Sequence, residues 1–272
     1  MLLFYRALLL WGLILLPYTL FAQNATPEQN SAKVDTIFES IHLDRQLFET
    51  STEMQSFISQ NPFGLSAAQN KKMLELYKKA FTKQFLLSDA HDKFHKNINS
   101  QYADSTLQWL DQEHTQIVLS AEENYYTLQG IRKRVVHRYE IEKDPPSQHR
   151  TFLIKSLGQK MEVKDIQLES KTILFRALVK AFNELNQQRS FSDAQLEGIV
   201  TNYQSQIKAN MEQEVQTQLL LTYYEIDDHN LRTFASFYDT ESGSWLNATK
   251  SASIYYAYQK AADRFLESVR SL

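Results

Sequence analysis

Cysteine is absent from the 272 residues, and glycine (6) and proline (5) are scarce. With no cysteine there is no disulfide to staple the fold and no thiol for a lipid anchor. Average usage would supply roughly 19 glycines and 14 prolines at this length. Sandwiches and barrels spend those residues on turns, and dinucleotide folds need glycine at phosphate loops, so the deficit argues for helices. No phosphate-binding Gly-rich loop, dinucleotide turn or Gly-x-Ser-x-Gly elbow occurs, and nothing brings together a nucleophile, a base and an orienting group. An excess of positive charge is missing too. The formal net charge is −3, which gives no global electrostatic reason to bind nucleic acid.

What is present begins with an apolar leader. Arg6 is the only charge before an unbroken apolar run from Ala7 to Leu16, the length of a signal-peptide core. Pro17 breaks it short of the ~20 residues a membrane span needs, which favours cleavage over a retained anchor. Leu20-Phe21-Ala22 before Gln23 offers the small residue a signal peptidase requires. The expectation is a signal peptide over 1–22 and no stable transmembrane segment after cleavage. Arg6 leaves with it, moving the net charge to −4. Stability then rests on apolar burial, feasible for about 250 residues. Asn24 to Ala32 is polar and reads as a disordered lead, placed at 23–32.

Beyond the lead the apolar spacing is helical. Ile173, Leu174, Ala177, Leu178, Ala181, Phe182 and Leu185 mark one buried face. Leu196, Ile199, Val200, Tyr203, Ile207, Met211 and Val215 mark a second, and Ile117, Val118, Ala121, Tyr125, Leu128, Ile131, Val135 and Tyr139 a third. Trp245, Ala252, Tyr255, Tyr256, Ala262, Phe265, Leu266 and Val269 mark the last. No stretch alternates with period two, so no substantial sheet is expected. Asn61-Pro62-Phe63-Gly64 is a turn before a helix capped by Ser66 and running through Tyr77 and Phe85. Pro145 and Pro146 cannot sit inside a helix and divide the chain into a first half (33–143), a linker (144–150) and a second half (151–272).

The halves resemble each other. Leu65-Ser66-Ala67-Ala68-Gln69, then Met73, Leu74 and Tyr77, matches Phe191-Ser192-Asp193-Ala194-Gln195, then Ile199, Val200 and Tyr203, at an offset of 126. Trp109-Leu110-Asp111-Gln112-Glu113 matches Phe237-Tyr238-Asp239-Thr240-Glu241 at 128. The fold class expected is all-α, two helical-bundle halves from an internal duplication, each with its own core or sharing one.

Leu231-Arg232-Thr233-Phe234-Ala235-Ser236-Phe237-Tyr238-Asp239-Thr240-Glu241-Ser242-Gly243 resembles the signature of the domain of unknown function 2059 family, in which an aromatic pair and Thr-Pro-x-Gly precede an amphipathic helix. Glu241 stands where proline is usual, and the first copy has Gln112 and Thr115 at the threonine and glycine positions. The resemblance covers the second half, and the first only through the repeat. It implies an exported bacterial helical domain and, the family's activity being unassigned, no chemistry. Physically, Phe237 and Tyr238 suit core anchors at a helix end, Thr240 an N-cap, Glu241 the positive end of the helix dipole and Gly243 a close approach.

The remaining candidates each have a structural reading. His91 and His95 share a helix face at a spacing that suits one metal, but no third ligand is apparent and an exposed face is expected. Arg132, Lys133, Arg134, His137 and Arg138 form the most basic cluster, a solvated face or a meeting point for anionic headgroups or an acidic partner. Asp227-Asp228-His229 reads as a helix start with an aspartate cap. Asn24-Ala25-Thr26 and Asn247-Ala248-Thr249 fit the glycosylation pattern. Tyr223, Tyr224, Tyr255, Tyr256 and Tyr258 suit core packing or a contact surface. No catalytic, cofactor-binding or metal residue is assigned. The function expected is a non-enzymatic interaction protein of the bacterial envelope, periplasmic or secreted, whose partner is an envelope protein. The alternative is a lipid or small apolar ligand held in a cavity between helices.

Overall fold

A computed structural model describes residues 27–186 and 191–272. The expected leader at 1–22 and the Asn24 pattern lie outside the described residues. The first half comprises α1 (Pro27–Ser40), α2 (Leu43–Ser59), α3 (Ala67–Ala80), α4 (Lys83–Lys96), α5 (Ser100–Leu110), α6 (Glu113–Tyr125) and α7 (Leu128–Lys143). The second comprises α8 (Gln148–Lys160), α9 (Val163–Leu185), α10 (Asp193–Thr222), α11 (Asp228–Ser236), a 3₁₀ turn (Phe237–Asp239) and α12 (Glu241–Arg270). No strand occurs among the described residues, so the chain is all-α.

The halves share one core. A single apolar cluster runs from Val34 to Val269, and α12 lies at its centre, packed on α4 and α9 with α3 and α5 alongside. Phe265 meets the Tyr77 ring edge-on at 5.8 Å. The Tyr258 hydroxyl donates to the Leu47 carbonyl at 2.9 Å, and Trp245 Nε1 donates to the Asn97 carbonyl at 3.0 Å. A helix surrounded on several sides needs small residues where its neighbours come close, and Gly243, Ser253, Ala257 and Ala261 are buried there. This corrects the expected stripe: Trp245, Tyr255 and Tyr256 are only partly buried.

The first pair of matched segments adopts the same local structure, whereas in the second Thr240 caps α12 through its side chain and Gln112 makes no such cap for α6. Ser66 and Ser192 each close a capping box, with Gln69 and Gln195 respectively, satisfying backbone N–H groups that a helix start otherwise leaves unpaired. In both, an asparagine clamps the preceding residue. Leu65 N–H donates to Asn61 Oδ1 at 3.0 Å and Asn61 Nδ2 donates back to the Leu65 carbonyl at 2.8 Å. Phe191 N–H donates to Asn183 Oδ1 at 2.8 Å, and Asn183 Nδ2 returns to the Phe191 carbonyl at 3.3 Å. Asn99 and Asp227 also cap α5 and α11, accepting from Gln101 N–H and Asn230 N–H respectively.

Four boundaries differ from expectation. α1 starts at Pro27, inside the stretch read as a disordered lead: proline suits a first helical position, and Val34 and Ile37 bury the helix. The helix expected from Ser66 through Phe85 breaks at Thr82, whose hydroxyl accepts from Phe85 N–H at 3.2 Å and starts α4. The linker is shorter than 144–150, because Ser147 caps α8 by accepting from Arg150 N–H. The third expected helix breaks between Tyr125 and Leu128. Thr127 caps α7 by accepting from Gly130 N–H at 3.0 Å, and Gly130 backs so closely on the Asn124 carbonyl that a Cβ there would lie 1.8 Å from its oxygen.

Candidate functional site

The break before α7 sets its orientation, and in that orientation apolar and charged residues alike face outward. Its buried residues are Gly130 and His137. His137 stacks on Tyr224 with ring centroids 4.2 Å apart. Lys133 Nζ donates to Glu225 at 2.7 and 2.9 Å and holds that carboxyl below its ordinary range. The Arg134 guanidinium lies 3.9 Å from the centre of the Tyr125 ring. The residues of α7 expected in the core stripe point outward instead: Leu128 is 80% exposed, Val135 70% and Tyr139 66%, with Ile131 also exposed, and Val136 beside them is exposed too. Arg132, Arg138 and Lys143 are exposed on the same helix. The basic cluster therefore divides, with Lys133, Arg134 and His137 fastening α7 while Arg132 and Arg138 are exposed and make no ion pair among the described residues.

Behind α7, Tyr125 also walls a chamber of about 230 Å³ where α2, α6, α9, α10 and α12 converge. Its lining includes Glu49, Glu122, Tyr126, Tyr223 and Lys250. The Tyr223 hydroxyl donates to Glu122 Oε1 at 2.5 Å, and Tyr126 lies beside Glu49 in the lining. Burial pushes the Glu122 and Glu49 carboxyls up, opposed in each case by the tyrosine hydroxyl. Burial pushes the Lys250 ammonium down, opposed by the charges of Glu122 and Glu162. It also drives the Tyr223 phenol well above its ordinary value, with the Glu122 charge adding to the effect. Glu122, Glu49 and Lys250 each keep part of their surface open to the space. Such walls can hydrogen-bond and charge-match a small polar molecule. The alternation of charged and apolar residues on these helices is that of any solvated face, so nothing in the spacing singled them out.

The other candidates fall elsewhere. Asp227 caps α11, accepting from Asn230 N–H at 2.8 Å. Asp228 accepts from Arg150 Nη1 at 2.6 Å, while Nη2 of the same arginine donates to the Tyr223 carbonyl at 2.5 Å, tying α8 to the α10–α11 turn. Thr240 caps α12 by accepting from Gly243 N–H at 3.1 Å; a Cβ at Gly243 would lie 2.2 Å from the Phe237 carbonyl oxygen. Asn247 is buried and donates to the Lys160 carbonyl at 2.5 Å, which closes it to glycosylation. Tyr223 and Tyr258 are core residues, and Tyr224 is exposed beside α7. His91 and His95 share one face of α4 and look onto α1, where Asp35 supplies the third donor that the local spacing lacks. No protein-family profile, curated protein or solved structure matches the chain.

Proposed function

We propose that this chain is an exported, non-enzymatic interaction protein of the bacterial envelope that rests on an anionic membrane surface through α7. The observation that carries the reading is the row of exposed apolar side chains on α7. A helix tied down through Lys133 and His137, with Leu128, Ile131, Val135 and Tyr139 turned to solvent among Arg132, Arg138, Glu140, Glu142 and Lys143, offers exposed apolar side chains and cations together, the two attractions that hold a helix in an anionic lipid interface. Burying each large apolar side chain is worth about 1.5–3 kcal/mol, and each cation near an anionic surface about 1 kcal/mol. No described helix is long and apolar enough to cross a membrane. Export, membership of the family that Leu231–Gly243 resembles, and descent of the halves from one duplicated unit belong to the same proposal. The apolar leader supports the first, and the matched caps support the last.

The test is sedimentation of the chain from Gln23 onward with vesicles containing phosphatidylglycerol, against vesicles of pure phosphatidylcholine. Binding to the first and little to the second is expected, with loss in Val135→Glu. An absence of binding to anionic vesicles, or binding indifferent to that substitution, overturns the reading.

A second reading rests on the chamber: a carrier of a small polar molecule held by Glu122, Tyr223 and Lys250. Native mass spectrometry of protein purified from envelope extracts should then show a bound mass that Glu122→Ala releases.

A further inference from the structure

We infer that Asp35, His91 and His95 form a binding site for a divalent transition-metal ion of the zinc type, built across the contact between α1 and α4. His91 and His95 are one turn apart on α4, and their Nε2 atoms converge on a single oxygen of Asp35: His91 Nε2 lies 2.6 Å from Oδ1, and His95 Nε2 3.9 Å from the same atom. All three donor atoms lie within 4.8 Å of one another. Around a tetrahedral zinc with bonds of about 2.0–2.1 Å, neighbouring ligand atoms stand roughly 3.3 Å apart. The two Asp35 separations fall on either side of that value, and the widest donor separation, up to 4.8 Å, must close by about 1.5 Å through rotamer changes to admit the ion. Two imidazoles and one carboxylate from facing helices are a donor set that bundles use for such metals. The Ser31 hydroxyl, 3.2 Å from His95 Nε2, gives the remaining side of the ion a polar neighbour.

The surroundings favour an ion over a plain His–Asp pair. Among the described residues no lysine or arginine pairs with Asp35; Lys33, on the same helix, is engaged by Asp104 at 2.5 Å. The contrasting case is Asp228. His149 approaches it at 3.6 Å, but Arg150 and Arg232 already neutralise that carboxylate at 2.6 and 3.7 Å, leaving no charge for a metal. The α1–α4 packing is also firm enough to hold a site: Phe38 lies edge-on to Phe94 at 5.7 Å and to the His91 ring at 5.2 Å. The donor set selects zinc-like ions over magnesium or calcium, which prefer oxygen ligands.

The experiment is calorimetric titration of the untagged chain from Gln23 onward, stripped with EDTA, with zinc chloride. One equivalent should bind, while magnesium chloride gives no comparable heat. Asp35→Asn, which keeps a hydrogen-bond acceptor for His91, and His95→Ala should each weaken binding at least tenfold. Zinc should raise the melting temperature of the parent protein and leave that of the variants unchanged. Circular dichroism of the metal-free variants checks that they fold. If His95→Ala does not, Asp35→Asn decides. In imidazole NMR spectra, zinc should move the His91 and His95 signals first. Absence of binding, binding that survives Asp35→Asn, or zinc acting first on other histidines overturns the inference.

Discussion

Trp109 and Phe237 lie face to face, ring centroids 4.1 Å apart and planes within 8°. These are the two residues that the sequence repeat pairs at an offset of 128. Each ends a helix of its own half, and their contact, with Phe234 and Tyr238 around the indole, joins α5 to the corner before α12. Trp109→Ala should therefore cost about 3–5 kcal/mol, and Trp109→Phe, which keeps a stacked ring, distinctly less. Urea denaturation followed by circular dichroism would show both as shifts in midpoint. Because the halves share one core, each variant should still unfold in a single transition.

Two glycines make opposite predictions for the same substitution. Gly243→Ala forces a methyl within 2.2 Å of the Phe237 carbonyl oxygen and 2.6 Å of Tyr238 Cα, backbone that cannot swing aside, and should destabilise by about 1–3 kcal/mol or more. Gly198, within α10, has nothing within 4 Å of an added Cβ, so Gly198→Ala should stabilise by about 0.5–1 kcal/mol. Paired thermal melts would check the signs. Equal effects would refute the close approach at the α12 corner.

The Glu49 carboxyl carries a pH signature. Burial raises it above its ordinary value, so the folded state holds that proton more tightly than the unfolded chain does. Its contribution to stability is full below the unfolded value of about 4.3 and is lost as pH rises through the higher folded one. Glu49→Gln keeps a hydrogen-bonding group near Tyr126 without the buried charge. Its melting temperature should exceed that of the parent at pH 8, with the gap closing as pH falls towards about 4. A gap that widens on acidification would show that the carboxylate is favoured in the fold.

The outward stripe of α7 contributes little to the stability of the isolated chain. Val135→Glu, at a position 70% exposed, should change unfolding free energy by no more than about 0.5 kcal/mol while abolishing attachment to anionic vesicles. Lys133→Ala, which removes the tie to Glu225, should loosen α7 and raise amide exchange along Leu128–Lys143. Urea titration and hydrogen-exchange mass spectrometry separate the two effects.

Residue types alone specified the helices, since a chain with 6 glycines and 5 prolines and a recurrent three-and-four apolar spacing has little else to become. They also specified several of the helix starts: Ser66, Ser192, Asp227 and Thr240 cap where their hydrogen-bonding chemistry requires. Capping is decided within four residues, which is why it can be read from the chain. Whether Val135 meets the core or water is not decided locally. Periodicity says that a helix has an apolar face, and only the break at Thr127 and the fastening of Lys133 and His137 determine which way that face points. The same holds for Glu122 beside Lys250 and for Asp35 beside His91. These partners are far apart in the chain, and no spacing rule links residues on separate helices until packing has brought them together.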